Sequence, residues 1–60
     1  MKKYELSDWY EGELIIGTYD TMAEAEKSAR QFIADTDGEC DLAISKWNDN
    51  LNMYMPVKVI

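Results

Sequence analysis

The chain opens on alternation. From Lys3 to Trp9, KYELSDW, apolar and polar residues take turns and aromatics are frequent, which predicts a strand. YEGE follows as a turn, with Gly12 free to take a positive φ. Glu13 to Tyr19, ELIIGTY, reads as a second strand, and the short loop makes the pair a hairpin. The period then changes. Met22, Ala25, Ala29, Phe32 and Ile33 recur at helical spacing and line one face, with Glu24, Lys27, Ser28 and Gln31 away from it. Thr21 is a good N-cap, and Glu24 three residues on completes a capping-box pattern. Glu26 and Arg30 stand at i,i+4 in the favourable order. Gly38 suits the position just past a helix end. Alternation returns in Cys40 to Trp47 and in Leu51 to Ile60, around the turn NDN. Met53, Met55, Val57 and Val59 share one face of the last strand. A turn centred on Asp49 and Asn50 sets Ile44 opposite Met55 and Leu42 opposite Val57, all pointing one way as a buried face requires. Pro56 has no N–H to donate, so the last strand is an edge or Pro56 faces out of the ladder.

The order ββαββ predicts a single small α+β domain over residues 1–60. Its simplest packing is a four-stranded, mostly antiparallel sheet with one helix across one face. Strand order does not follow from the pattern. One helix leaves the other sheet face uncovered. With Leu42, Ile44, Met53 and Met55 toward the helix, Ala43, Ser45, Trp47, Asn52 and Tyr54 point away. A two-residue turn in the first hairpin sends Tyr4, Leu6, Ile15 and Tyr19 one way and Trp9, Leu14 and Ile16 the other. A bulged turn swaps the second strand's faces. Large side chains therefore remain on the far face, where Trp9, Trp47 and Tyr54 form a candidate partner-binding or dimer surface.

Size sharpens this expectation. A 60-residue chain builds a core worth only roughly 3–5 kcal/mol, and small proteins often add a disulfide, a metal or a second copy. Cys40 is the only cysteine, so no internal disulfide forms, and a reducing compartment is expected. One cysteine and no histidine cannot make a structural zinc site. Oligomerisation stays open. MKK is followed by YELSDWYEGE, with no apolar signal region, and no apolar run approaches the ~20 residues of a membrane span. The reading is cytoplasmic.

Twelve acidic and six basic residues give a net charge of −6. That repels nucleic acid and anionic membrane and favours a basic protein partner. The densest acidic stretch is ADTDGECD, with Asp35, Asp37, Glu39 and Asp41 around Gly38. It is not an EF-type calcium loop. Placing Gly38 at loop position 6 puts Ile33 and Ile44 at positions 1 and 12, where oxygen ligands belong. It reads instead as a helix stop overlaid by a docking patch for Lys and Arg. Acids at a helix C-terminus oppose the dipole, and such local violations cluster at functional sites.

Catalytic chemistry is sparse. There is no histidine, no phosphate-binding loop and no dinucleotide fingerprint. Cys40 lacks a histidine partner or nearby cation and reads as a small buried hydrophobe. Glu11 and Glu13 form an acid pair, but so short a chain leaves little room for a cleft. The expectation is a non-enzymatic protein-binding module without cofactor or metal. The alternative is a self-associating structural protein whose uncovered sheet face forms a homodimer. The format, short, acidic, cysteine-poor and single-domain, resembles that of small phage-encoded proteins that bind and inhibit host or defence proteins, some of them DNA-like in charge layout. That resemblance implies an inhibitor of a basic, nucleic-acid-binding partner and carries no residues over.

Overall fold

A computed structural model describes all residues from Met1 to Ile60. The elements are β1 (Tyr4–Asp8), β2 (Leu14–Tyr19), α1 (Met22–Asp35), β3 (Leu42–Asn48) and β4 (Met53–Val59). They form one four-stranded sheet in the order β2-β1-β3-β4, every neighbouring pair antiparallel. This is the expected ββαββ arrangement, with one helix on the sheet. Because β1 is antiparallel to both neighbours, β2 and β3 run parallel with β1 between them. Their connection is α1, which must therefore cross over β1. It packs on β1, β2 and β3 and meets β4 at its flank, through Lys58.

The core is small. Leu6, Leu42 and Ile44 from the two central strands meet Ala25 and Ala29 of the helix, all essentially fully buried. The two alanines let the helix axis approach the sheet. Tyr4, Ile16, Tyr19, Met22, Phe32, Ile33 and Cys40 close the margins. Cys40 is thus a half-buried, free thiol against the core rather than a fully buried one.

The helix start follows its residues. Thr21 Oγ1 accepts a hydrogen bond from Glu24 N at 3.2 Å and donates to Glu24 Oε1 at 3.0 Å. The helix stop uses two left-handed residues. Asp37 has φ 55° and Gly38 φ 81°, and Gly38 N returns to Ile33 O at 2.9 Å. Glu26 turns away from the expected pairing along the helix and forms an ion pair with Lys58 of β4.

Both hairpins depart from the simple register, each through a bulge. In the first, Tyr4 faces Tyr19 and Leu6 faces Gly17, but Ser7 faces Ile15, so Ile16 is the extra residue. The two-residue-turn expectation placed Ile15 with the core. The bulge exchanges the pair: Ile16 packs on the core and Ile15 is 46% exposed. In the second hairpin, Asn48 Oδ1 accepts from Asn50 N and Leu51 N, and Asn52 adopts a positive φ. The loop is therefore longer than NDN, and Asn52 belongs to it rather than to a sheet face. This moves the register by two residues, so Lys46, not Ile44, faces Met55. A bulge between Ile44 and Ser45 then sets Ile44 opposite Lys58 and leaves Val57 unpaired. Val59 pairs with Ala43 and leaves the face it was expected to share with Met53 and Met55. Those two methionines lie on the helix side, but no helix covers them; Met53 is 51% exposed.

Pro56 sits on an edge strand, as its missing donor requires. Trp47 N donates to Lys3 O and Trp9 N to Asp41 O. Ser45, in phase with Trp47, therefore turns its backbone to β1, and its partner Pro56 faces outward.

Candidate functional site

Antiparallel strands gather distant residues at the two ends of the sheet. At one end lie the β1–β2 turn and the loop that joins α1 to β3. Asp8 ends β1 and the turn carries Glu11 and Glu13; Asp35 ends α1 and the loop carries Asp37, Glu39 and Asp41. No lysine or arginine occurs between Lys3 and Lys27, nor between Arg30 and Lys46. Seven of the twelve acids thus lie toward one end of the sheet, in two chain segments that contain no lysine or arginine.

Asp8 locks the two segments to each other. Its Oδ1 accepts from Tyr10 N at 3.0 Å, within its own turn, and from Asp41 N at 2.9 Å, across the gap. Trp9 N donates to Asp41 O at 2.8 Å beside it. The four predicted patch residues are all exposed, and Asp35 Oδ1 accepts from Gln31 Nε2. Asp8, Tyr10, Glu11, Glu13, Leu14 and Glu39 border a shallow depression of about 510 Å³. Tyr10 and Leu14, on its border, are half exposed. No three Cys, Asp or Glu side chains are gathered as a metal centre needs. The arrangement can attract and orient cationic side chains, with aromatic faces beside the carboxylates.

The three far-face aromatics are not brought together. Trp47 and Tyr54 face each other across β3 and β4, with ring centroids 5.2 Å apart and planes at 77°. Both polar tips are satisfied, Trp47 Nε1 by Asp49 Oδ1 at 2.9 Å and Tyr54 Oη by Lys2 O at 2.7 Å. They are half-buried, closed on each other rather than open. Trp9 belongs to the opposite end, six residues away along the ladder, or about 20 Å. Its Nε1 donates to Ser7 Oγ at 2.9 Å. Ser7, Ala43 and Ser45 form the buried middle of this face. Trp9 therefore lies near the acidic end with its ring turned back over Ser7, and Trp47 and Tyr54 form a separate cluster.

Sequence reasoning singled out the helix-end acids but not Asp8 as the residue that joins them to the hairpin. The available signal was the absence of bases on both flanks of the chain's two acidic runs. Glu5, on the far face beside Ser45, was also missed. Burial, and secondarily the charge of Glu13, raises its carboxyl above the ordinary range. No family model, curated protein or solved structure matches this chain.

Proposed function

We propose that this protein is a non-enzymatic binding module that docks a basic protein surface with its acidic end. The observation that carries the reading is the joining of two base-free acidic segments, residues 8–13 and 35–41, through Asp8. Such a surface steers a cationic partner and sets its orientation, and Trp9, Tyr10 and Leu14 supply the apolar contact that charge alone lacks. An inhibitor that covers the basic, nucleic-acid-binding face of a cytoplasmic partner is the role this chemistry fits. No helix is long and apolar enough to cross a membrane.

The test is a titration of the labelled protein with a lysine- and arginine-rich peptide, read by amide shifts and association rate. Shifts are expected at residues 8–14 and 35–41, with a rate that falls as salt rises. Reversing Asp35, Asp37, Glu39 and Asp41 to lysine is expected to abolish or slow capture. Unchanged kinetics in that variant sinks the electrostatic reading.

A second reading, self-association, is favoured by the large share of apolar side chains left half exposed, from Leu14 and Ile15 to Val59. It requires a solution mass twice that of the chain, stable in high salt and reduced to the monomer by Trp47→Ala with Tyr54→Ala.

A further inference from the structure

The helix layer is incomplete. A four-stranded sheet is roughly 15 Å between its outer strand axes, and a helix with its side chains is about 10–12 Å across. Here α1 is committed to β2, β1 and β3. The helix side of β3 and β4 is left as an open groove of about 710 Å³ at the end remote from the acids. Lys46, Met55 and Val57 line it, with Lys2 and Lys3 at its margin. Met53 continues the apolar strip along β4.

Three observations narrow what fits there. The first is charge. Residues 50–60 contain no acid, in a protein with twice as many acids as bases. Lys2, Lys3 and Lys46 have no ion-pair partner, since the one salt bridge is Lys58 with Glu26. Asp49, the groove's own acid, accepts from Trp47 Nε1. The second is the strand edge. Pro56 removes a donor from the middle of the outward-facing edge, and the bulge at Val57 bends it. A strand added to β4 would meet a broken ladder. The third is that α1 cannot also serve the groove, because its apolar face is already spent on the core and its outer face bears Glu24, Lys27 and Gln31.

We propose that the groove over the ends of β3 and β4, beside Lys2 and Lys3, receives an amphipathic helix of a partner protein, apolar on one face and acidic along its flanks. Met53, Met55 and Val57 meet the apolar face, and Lys2, Lys3 and Lys46 meet the carboxylates. β4 is about 23 Å long, so some 15 residues of helix span it. The inference does not depend on the acidic end. If both hold, the molecule bridges a basic surface and an acidic helix from opposite ends.

The probe is a synthetic 18-residue helical peptide with leucines on one face and glutamates on the flanks. Its counterpart has lysines in place of the glutamates. Each is titrated into the intact protein while the Met53 and Met55 methyl signals are followed. Read at the Met53 and Met55 methyls, the glutamate peptide is expected to bind at least about tenfold more tightly at low salt than the lysine peptide, whose own shifts fall at residues 8–14 and 35–41. Met55→Glu places a carboxylate in the groove at an exposed site and is expected to weaken binding about tenfold or more, with far-UV circular dichroism and Tm near the parent's. Lys46→Glu is expected to narrow or reverse that preference at the methyls, while Asp35→Lys, remote from the groove, leaves the glutamate peptide's methyl shifts in place. Equal binding of the two peptides at these methyls, no methyl shift with the glutamate peptide, or glutamate-peptide shifts confined to residues 8–14 overturns the proposal. So does a homodimer in which Met53 and Met55 are covered, since a second copy then fills the groove.

Discussion

Each hairpin of the sheet carries a bulge, one between Leu6 and Ser7, the other between Ile44 and Ser45, and each bulge moves one side chain to the helix side. In β1–β2 the side chain moved is Ile16, which joins the core under α1. In β3–β4 it is Lys58, which reaches Glu26 on the flank of α1. One local device thus completes a core in one hairpin and ties an ion pair in the other. The reason is the crossover. Because α1 carries the chain from β2 to β3 over β1, a residue on β2 finds the helix above it, whereas β4 meets only the helix's flank and a long side chain is needed to reach it. The first hairpin and β3 hold the fold together; β4 adds backbone pairing and presents a surface.

The strongest way to break this comparison is to truncate one side chain from each part. Ile44→Ala empties a fully buried site and is expected to cost about 2–5 kcal/mol, enough to unfold much of so small a protein. Val59→Ala, at a position 74% exposed, is expected to change stability by less than about 0.5 kcal/mol. Urea denaturation of both variants is the measurement. A large loss at Val59 would mean that β4 is buried in solution by something else.

Deleting the bulge residues sharpens the contrast. Removing Ile16 straightens β2 but takes a side chain from the core margin, with an expected cost of about 1–3 kcal/mol. Removing Val57 straightens β4, keeps Lys58 opposite Ile44 and loses only an exposed valine, so a change within about 1 kcal/mol is expected. Equal costs for the two deletions would show that the bulges act through strand geometry and not through the side chains they deliver.

The same contrast explains what could be read in advance. The helix was legible from end to end, because Thr21, the apolar stripe and Gly38 each act through neighbours a few residues away. The ββαββ class followed from period, and the missing donor of Pro56 left an edge strand or an outward-facing position, both of which hold. The faces of Ile15, Ile16, Val57 and Val59 were not legible, because a bulge is a choice between two registers made by the partner strand. Met53 and Met55 misled for a different reason. Their pattern is that of a buried face, and only the strand order shows that the helix stops short of them. The acidic end was half legible: ADTDGECD is conspicuous in the chain, but its union with the β1–β2 turn depends on β1 and β3 being neighbours.

Two carboxylates give the smallest expected effects, and they differ in sign. The hydrogen bond from Lys58, and then its charge, hold Glu26 below the ordinary carboxylate range. Its contribution to stability is therefore complete above that ordinary range and is lost as pH falls through the lowered value. Burial, then Glu13, raises Glu5 above the ordinary range. The folded protein holds that proton more tightly than the unfolded chain, so stability declines as pH rises from the ordinary value through the raised one. At pH 7 Glu26→Gln is expected to lower the urea midpoint slightly and Glu5→Gln to raise it slightly. Both differences are expected to fade in acid, where the parent carboxyls are themselves protonated. A Glu5→Gln variant that is less stable than the parent at pH 7 would show that the ionised carboxylate has a partner on the far face, and that face would then need to be reread as polar and self-satisfied.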